Sequence, residues 1–445
     1  MGTATTTTRR AADPGPRPGP GAAPGGATTG TGALVRLMLR RDRIRLPAWV
    51  AGLGLFMVYL GAALPRLAPT EADLAAVTPM VQQPVGRLFT GPAYGMEDPT
   101  HASFFAAGYL LYLFVLAALM NVLLITRHTR LEEQSGRSEL VRADVVGRQA
   151  PLTAALCVAV VTNGLAATVV GLIALVNGYP GPGSALVAAA VGLVGLSFAG
   201  ITAVAAQLSA HSRGVAGLAG LVLGAAFALR ALGDMVAAGG SALSWASPLG
   251  WGAQTAPYAL DRWEPLVLLL ALAVGTVVLA YALQGRRDFG AGLLPARRGR
   301  EQGGALLGTP WGLALRLQRG PFLAWGAAIL FLGVIDGAFT QVMIDSSHAL
   351  PPEMQAMFGA EQMTLGYVAF LSVFSGMATT AYVVYAVQTL RAEEAAGRAE
   401  LVLATPTSRA AWAGAHLGVV ALGATVIMTV TGVLTGVAAT AVTGS

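Results

Sequence analysis

Long apolar runs without charges recur along the chain, separated by shorter polar pieces. A helix needs about 20 apolar residues to cross a bilayer. Nine runs meet that need: about 46–64, 104–126, 152–176, 184–208, 214–232, 265–283, 322–340, 365–389 and 411–436. The pattern predicts an all-α polytopic membrane protein. The fifth run is rich in glycine and ends at Arg230, and the seventh carries Asp336 near its far end. Ahead of the first run, Leu34, Leu37, Met38 and Ile44 alternate with five arginines. That spacing predicts an amphipathic helix over 34–45, lying on an anionic membrane face. Residues 1–32 are mostly Thr, Pro and Gly, and are expected to form a disordered tail.

Composition agrees with this reading. Of 445 residues, 55% are apolar and only 11% are charged, against about 25% charged in an average soluble domain. Too few charges exist to coat a soluble enzyme of this size. The net charge of +6 would suit a nucleic-acid binder, but its placement does not. With the N-terminus inside and each span reversing the chain, 24 of the 28 basic residues fall in cytoplasmic pieces. Positive charge sorts this way when it sets topology. The exceptions are Arg66, Arg87, Arg230 and Arg262. The expectation is a multi-pass protein of the bacterial plasma membrane, in contact with lipid and with no nucleic-acid partner.

Every basic residue is arginine. Without lysine the chain holds no phosphate-binding P-loop and no Schiff-base lysine. Cys157 is alone and is expected to be a buried small residue. His101, His128, His211, His348 and His416 are too scattered for a metal motif. Neither catalytic residues nor a metal site are assigned. Substrate-contacting residues are unknown from the sequence.

The densest polar segment occurs twice. Residues 130–148 read RLEEQSGRSELVRADVVGR and residues 391–409 read RAEEAAGRAELVLATPTSR, identical at ten of nineteen positions. Upstream, Ala48-Trp49 matches Ala324-Trp325 at an offset of 276, against 261 at the motif. Six spans separate equivalent points, so the two copies face the same way, as parallel repeats do. The domains expected are the tail 1–32, a first transmembrane half 33–283, a cytoplasmic linker 284–310 and a second half 311–445. Ser445 corresponds to Ser184 at constant offset, so the second copy is expected to be truncated after its third span.

In the first copy Glu133 and Arg137 are spaced i,i+4, and Glu139 and Arg142 i,i+3, as on a solvated helix. Gly136 and Gly397 mark a break or a close contact. Repetition in two otherwise drifted halves points to docking of a twofold partner, one subunit per half. A catalytic pair at Glu132 and Glu133 is disfavoured, because adjacent helix residues do not face each other.

The pattern E-E-x-x-G-R-x-E-L-V after the second span resembles the ABC-2 type permeases of actinobacterial polyketide-antibiotic (tetronasin-type) exporters. Ser247-Pro-Leu-Gly-Trp251 and Asp261-Arg-Trp263, before the sixth span, resemble them too. The resemblance covers nearly everything after residue 33. It implies two fused six-span halves and a permease that is not itself an enzyme. ATP and Mg would be bound by a separate ABC ATPase, in two copies. It further implies coupling helices at 127–150 and 389–410, carrying Glu132, Glu133, Gly136, Arg137 and Glu139 in one copy and Glu393, Glu394, Gly397, Arg398 and Glu400 in the other. Elbow helices are implied at 34–45 and about 311–319, and outer cap helices at 234–264. The second copy departs from the first at Leu403 and Thr405, where Arg142 and Asp144 stand, so the two ATPase contacts would be unequal. The cargo expected is a hydrophobic or amphipathic small molecule, an antibiotic, other drug or lipid.

The rival is a major-facilitator-type secondary drug/proton antiporter, which also has two parallel six-span halves. Its loop aspartate does not recur here, since Asp144 becomes Thr405. Within the spans, Asn121 and Asn163 are expected to form interhelical hydrogen bonds. Gly192, Gly195, Gly217, Gly220 and Gly224 are expected at close helix contacts. Arg230 and Asp234 are spaced to pair. Asp336 has Leu60 as its counterpart and reads equally as an interfacial or a gating residue.

Overall fold

A computed structural model describes residues 26–136, 146–288, 290–294, 303–345 and 363–444. Their regular elements are all helices, with no strand among them. Helix α1 is Thr31–Arg41, and a three-residue turn leads into α2, Arg45–Leu67. Two short helices follow, α3 (Glu71–Gln82) and α4 (Pro84–Phe89). The longer α5 (His101–Thr126), α6 (Ala150–Val176), α7 (Gly181–Leu208) and α8 (Ser212–Val236) come next. The short α9 (Pro248–Gln254) precedes α10 (Glu264–Gly285). The second half contains α11 (Pro310–Ala338), α12 (Thr340–Asp345), α13 (Met363–Ala395), α14 (Arg398–Leu403) and α15 (Arg409–Thr443). Among the described residues nine helices are long and apolar enough to cross a membrane, and they coincide with the nine apolar runs.

Local chemistry fixes where these helices start. Thr100 and Ser103 form a reciprocal capping box ahead of α5. Thr309 caps α11 with Pro310 in its first turn, and Ser408 caps α15. In the first half α7 is the hub, packed on α5, α6, α8 and α10. Helices α5 and α7 are the most enclosed. The others leave apolar side chains outward, such as Leu55, Leu165, Leu172, Val274 and Val278. With 20 apolar residues in a row, that outward face is the one lipid covers. In the second half α11, α13 and α15 pack on one another. The halves meet where Ile335 lies against Leu88 and Ala231, and Met343 beside Met80.

Five expectations change. Residues 27–32 are not part of a loose tail, because Gly147 and Gln149 donate backbone hydrogen bonds to the carbonyls of Thr29 (3.0 Å) and Ala27 (2.9 Å). In α1, Leu34 and Met38 are buried against Ile125, Leu152 and Ala155, so part of its apolar stripe serves protein packing and only Leu37 and Ile44 stay exposed. No separate elbow helix exists at 311–319, since that stretch runs on into α11 despite Pro321. Cys157 is exposed on the side of α6 rather than buried. Gly217, Gly220 and Gly224 have open space where a Cβ would stand, so they mark no close contact in the described chain.

Candidate functional site

Alternate spans bring the arginine-rich pieces to one end of the bundle, and there the charges interlock. Helix α5 leaves its apolar run through one π-helical turn, Arg127–Leu131, before Glu132–Gln134. Such a turn shifts which side chains point inward. It buries His128 and Arg130. The Asp42 carboxylate, at the end of α1, lies 3.0 Å from Arg127 Nε and 2.8 Å from His128 Nε2. Arg41 beside it pairs with Glu132. These contacts fasten the end of α1 to the end of α5.

A second set fastens α5 to α7 and α10. Arg130 Nε donates to the Ala206 carbonyl, and its Nη1 donates to Glu133 Oε2 at 2.8 Å. Arg287 donates to the other oxygen, Glu133 Oε1, at 2.7 Å and to Gln207 Oε1 at 2.7 Å. Arg148 donates to the carbonyls of Gln284 (2.9 Å) and Arg287 (3.0 Å), and Gln284 Nε2 donates back to the Arg148 carbonyl at 3.1 Å. A cavity of about 320 Å³ opens within this frame, lined by Thr129, Glu132, Glu133, Arg148 and Arg287 among others. Burial raises the strength of each of these pairs and the cost of breaking one.

The second copy is sparser. Arg398 grips Glu393 with two hydrogen bonds of 2.7 Å each. Leu317 stands at the position equivalent to Arg41, so Glu393 has no arginine there to meet and takes Arg398 instead. Glu394 and Glu400 are exposed, with no ion pair or side-chain hydrogen bond among the described residues. One contact does repeat. Gln318, equivalent to Asp42, donates to Thr389, equivalent to His128, at 2.7 Å and to the Ala386 carbonyl at 2.9 Å. Both copies therefore tie the start of a span to the end of the next one.

Gly136 and Gly397 have φ of 71° and 70° and nothing near a prospective Cβ. They are breaks, not close contacts: each turns the chain where only glycine sits without strain. Beyond Gly397 the short helix α14 presents Arg398 and Glu400. Arg137 and Glu139 lie outside the described residues, as do the pairs expected at Glu133–Arg137 and Glu139–Arg142.

The opposite end holds a second polar set. Arg230 Nη1 lies 3.3 Å from Asp234 Oδ2, as its spacing predicts, and its Nη2 donates to the Leu88 carbonyl at 2.7 Å. Arg87 Nε donates to the Asp234 carbonyl at 2.6 Å, and Ser244 Oγ to Asp234 Oδ1 at 2.6 Å. Arg262 stacks over the Tyr94 ring at 5.4 Å. Three of the four arginines that escape the charge asymmetry thus have local partners. Ser247 caps α9, accepting from Leu249 and Gly250, and donates to the Ala226 carbonyl at 2.6 Å. Ser247, at the head of the Ser247–Trp251 motif, thereby ties the segment after α8 back to α8.

Sequence reasoning missed that Gln207, Gln284 and Arg287 share the network of Glu133, and that Asp42 and His128 pair in a separate set beside it. Their separation along the chain hides it. Among the described residues no group of His, Cys, Asp and Glu could hold a metal ion.

Residues 33–283 and 307–445 match the family described as "Multidrug efflux system permease Rv1217c, C-terminal domain". The chain is 38% identical over 416 residues to the multidrug efflux system permease protein Rv1217c of Mycobacterium tuberculosis (strain ATCC 25618 / H37Rv), an alignment that spans 92% of this chain and 74% of that protein. The helical bundle, its polar ends and this likeness agree: the chain belongs to the Rv1217c family of multidrug efflux permeases.

Proposed function

We propose that this chain is the transmembrane subunit of an ATP-binding-cassette exporter of the ABC-2 type, related to the tetronasin-type exporters. It moves hydrophobic or amphipathic drug-like compounds outward across the bacterial cell membrane. The N-terminus and the arginine-rich end face the cytoplasm. ATP and Mg bind to a separate ATPase, two copies of which seat on the repeated motifs. Closure of the ATPases pushes on both motifs and alternates the opening of a path between the halves.

The observation that carries this reading is the pair of E-E-x-x-G-R segments at one end of the bundle. In the first copy Glu133 holds Arg130, which bonds to the Ala206 carbonyl of α7, and Arg287 just past α10. A push there reaches the core of the half directly. In the second copy Glu394 and Glu400 remain exposed for a partner. With no lysine in the chain, a P-loop must come from another subunit.

Co-purification with the ATPase encoded beside it, followed by drug-stimulated ATP hydrolysis in proteoliposomes, tests this. Drug accumulation in inside-out vesicles should require ATP and survive collapse of the proton gradient. Accumulation driven by the proton gradient without ATP would overturn the reading in favour of an antiporter.

A further inference from the structure

The seventh apolar run places one carboxylate inside the membrane, and the fold shows what surrounds it. Asp336, near the end of α11, opens onto a cavity of about 390 Å³ where the two halves meet. Tyr109 and Tyr112 of α5 line it, with ring centroids 6.4 Å apart, as do Phe339, Tyr367 and Met80. The volume is in the range of small-molecule sites. The chemistry of the wall is specific. Aromatic faces carry a negative quadrupole and attract cations, and a carboxylate in a low-dielectric site completes the attraction. Among the described residues no arginine or histidine forms an ion pair with Asp336.

Packing does not require this acid. The equivalent position in the first copy is Leu60, buried in the core of its half. A leucine satisfies the fold there, so the carboxylate is an addition made on one side only. Intramembrane acids that face a cavity mark ligand pathways, and transporter sites concentrate at the junction of repeats. We propose that this cavity binds lipophilic organic cations, with Asp336 as the counter-charge and the Tyr109, Tyr112 and Tyr367 rings as the apolar wall. The proposal deepens the export reading and rests on it for its physiological sense, but binding itself needs no ATP.

The test uses the purified full chain in nanodiscs and radiolabelled tetraphenylphosphonium, with empty nanodiscs as the blank. Saturable binding is expected, displaced by unlabelled tetraphenylphosphonium and not by tetraphenylborate, its anionic twin. Asp336→Asn should weaken binding by about tenfold or more, and Asp336→Glu should keep it within about threefold. Unchanged affinity in Asp336→Asn, or equal competition by tetraphenylborate, overturns the proposal. If Asp336→Asn does not elute as a single folded species, a Tyr109→Leu/Tyr112→Leu chain carries the same comparison. Absence of saturable tetraphenylphosphonium binding alongside ATP-driven extrusion of a neutral drug removes this site and leaves export standing. Binding that depends on Asp336, with no ATP-driven extrusion of any drug, keeps the site and removes export.

Discussion

Asn121, near the end of α5, and Asn163, in the middle of α6, exchange two hydrogen bonds. Asn121 Nδ2 donates to Asn163 Oδ1 at 3.0 Å, and Asn163 Nδ2 donates to Asn121 Oδ1 at 2.8 Å. Each amide also donates to its own helix, to the carbonyls of Ala117 and Ala159, both at 2.8 Å. The pair is buried, so all four of its N–H bonds are used where no water can replace a missing partner. Replacing either residue by Ala should cost about 1–2 kcal/mol. A double-mutant cycle read by thermal unfolding in detergent should give a coupling near 1 kcal/mol. Strict additivity would mean the pair contributes nothing as a pair.

The neighbouring glycine makes a sharper prediction. A Cβ at Gly195 would stand 2.0 Å from Asn163 Oδ1, so Gly195→Ala must push the pair apart. Gly195→Ala is expected to destabilise by about 1–3 kcal/mol. Gly217→Ala and Gly220→Ala meet open space in α8. They should be neutral or stabilise by up to about 1 kcal/mol through helix propensity. Melting temperatures of the three variants in one detergent decide it, and equal losses in all three would contradict the assignment.

These glycines show what was legible in the sequence. All of them sit in apolar runs at small-residue spacing, and periodicity alone cannot say which face meets another helix. The nine spans, the interhelical bonding of Asn121 and Asn163 and the Arg230–Asp234 pair were readable, because length, spacing and burial of polar groups act locally. The Glu133 network was not. It joins Arg130, Gln207 on α7 and Arg287 just past the end of α10, and such long-range pairing leaves no trace in local spacing. The aromatic wall around Asp336 was hidden for the same reason, since Tyr109 and Tyr367 are brought together only by docking of the two halves.

The two copies of the motif should respond differently to charge reversal. Glu133→Arg leaves the fully buried Arg130 and the nearly buried Arg287 without their shared carboxylate. That is expected to cost on the order of 3 kcal/mol and lower the melting temperature. Glu394→Arg alters an exposed side chain and should change stability by less than about 0.5 kcal/mol. Its effect should appear only as lost drug stimulation of ATP hydrolysis in the complex. Glu394, not Glu133, is therefore the clean probe of docking. A Glu394→Arg complex with full stimulated hydrolysis would remove the second motif from the interface.

Disruption at the opposite end should be costly. Asp234 receives Arg230 and Ser244 and is itself 1% exposed. Asp234→Asn removes the charge opposite the buried Arg230, and breaking such a pair costs about 3–5 kcal/mol. Ser244→Ala removes one hydrogen bond and should cost about 1 kcal/mol. Limited proteolysis should then cut the 234–264 segment faster in Asp234→Asn than in Ser244→Ala. The reverse order would show that Asp234 does not hold the cap down.

The cap carries a pH signature of its own. Between spans, Tyr179 and Tyr258 meet edge to face with ring centroids 5.6 Å apart. Burial pushes the hydroxyl of each up to about 12, from about 10 in an unfolded chain. The folded state therefore holds these protons more tightly than the unfolded one. That contribution is fully present below about pH 10 and is lost as pH rises towards about 12. Tyr258 also shares a 3.1 Å hydrogen bond with Ser184 at the start of α7, so its ionisation would place a charge against the end of the hub helix. Wild-type protein should lose melting temperature steeply between about pH 10 and 12, whereas a Tyr179→Phe/Tyr258→Phe chain should start lower and decline less. Parallel decline in the two proteins would assign the alkaline transition to other groups.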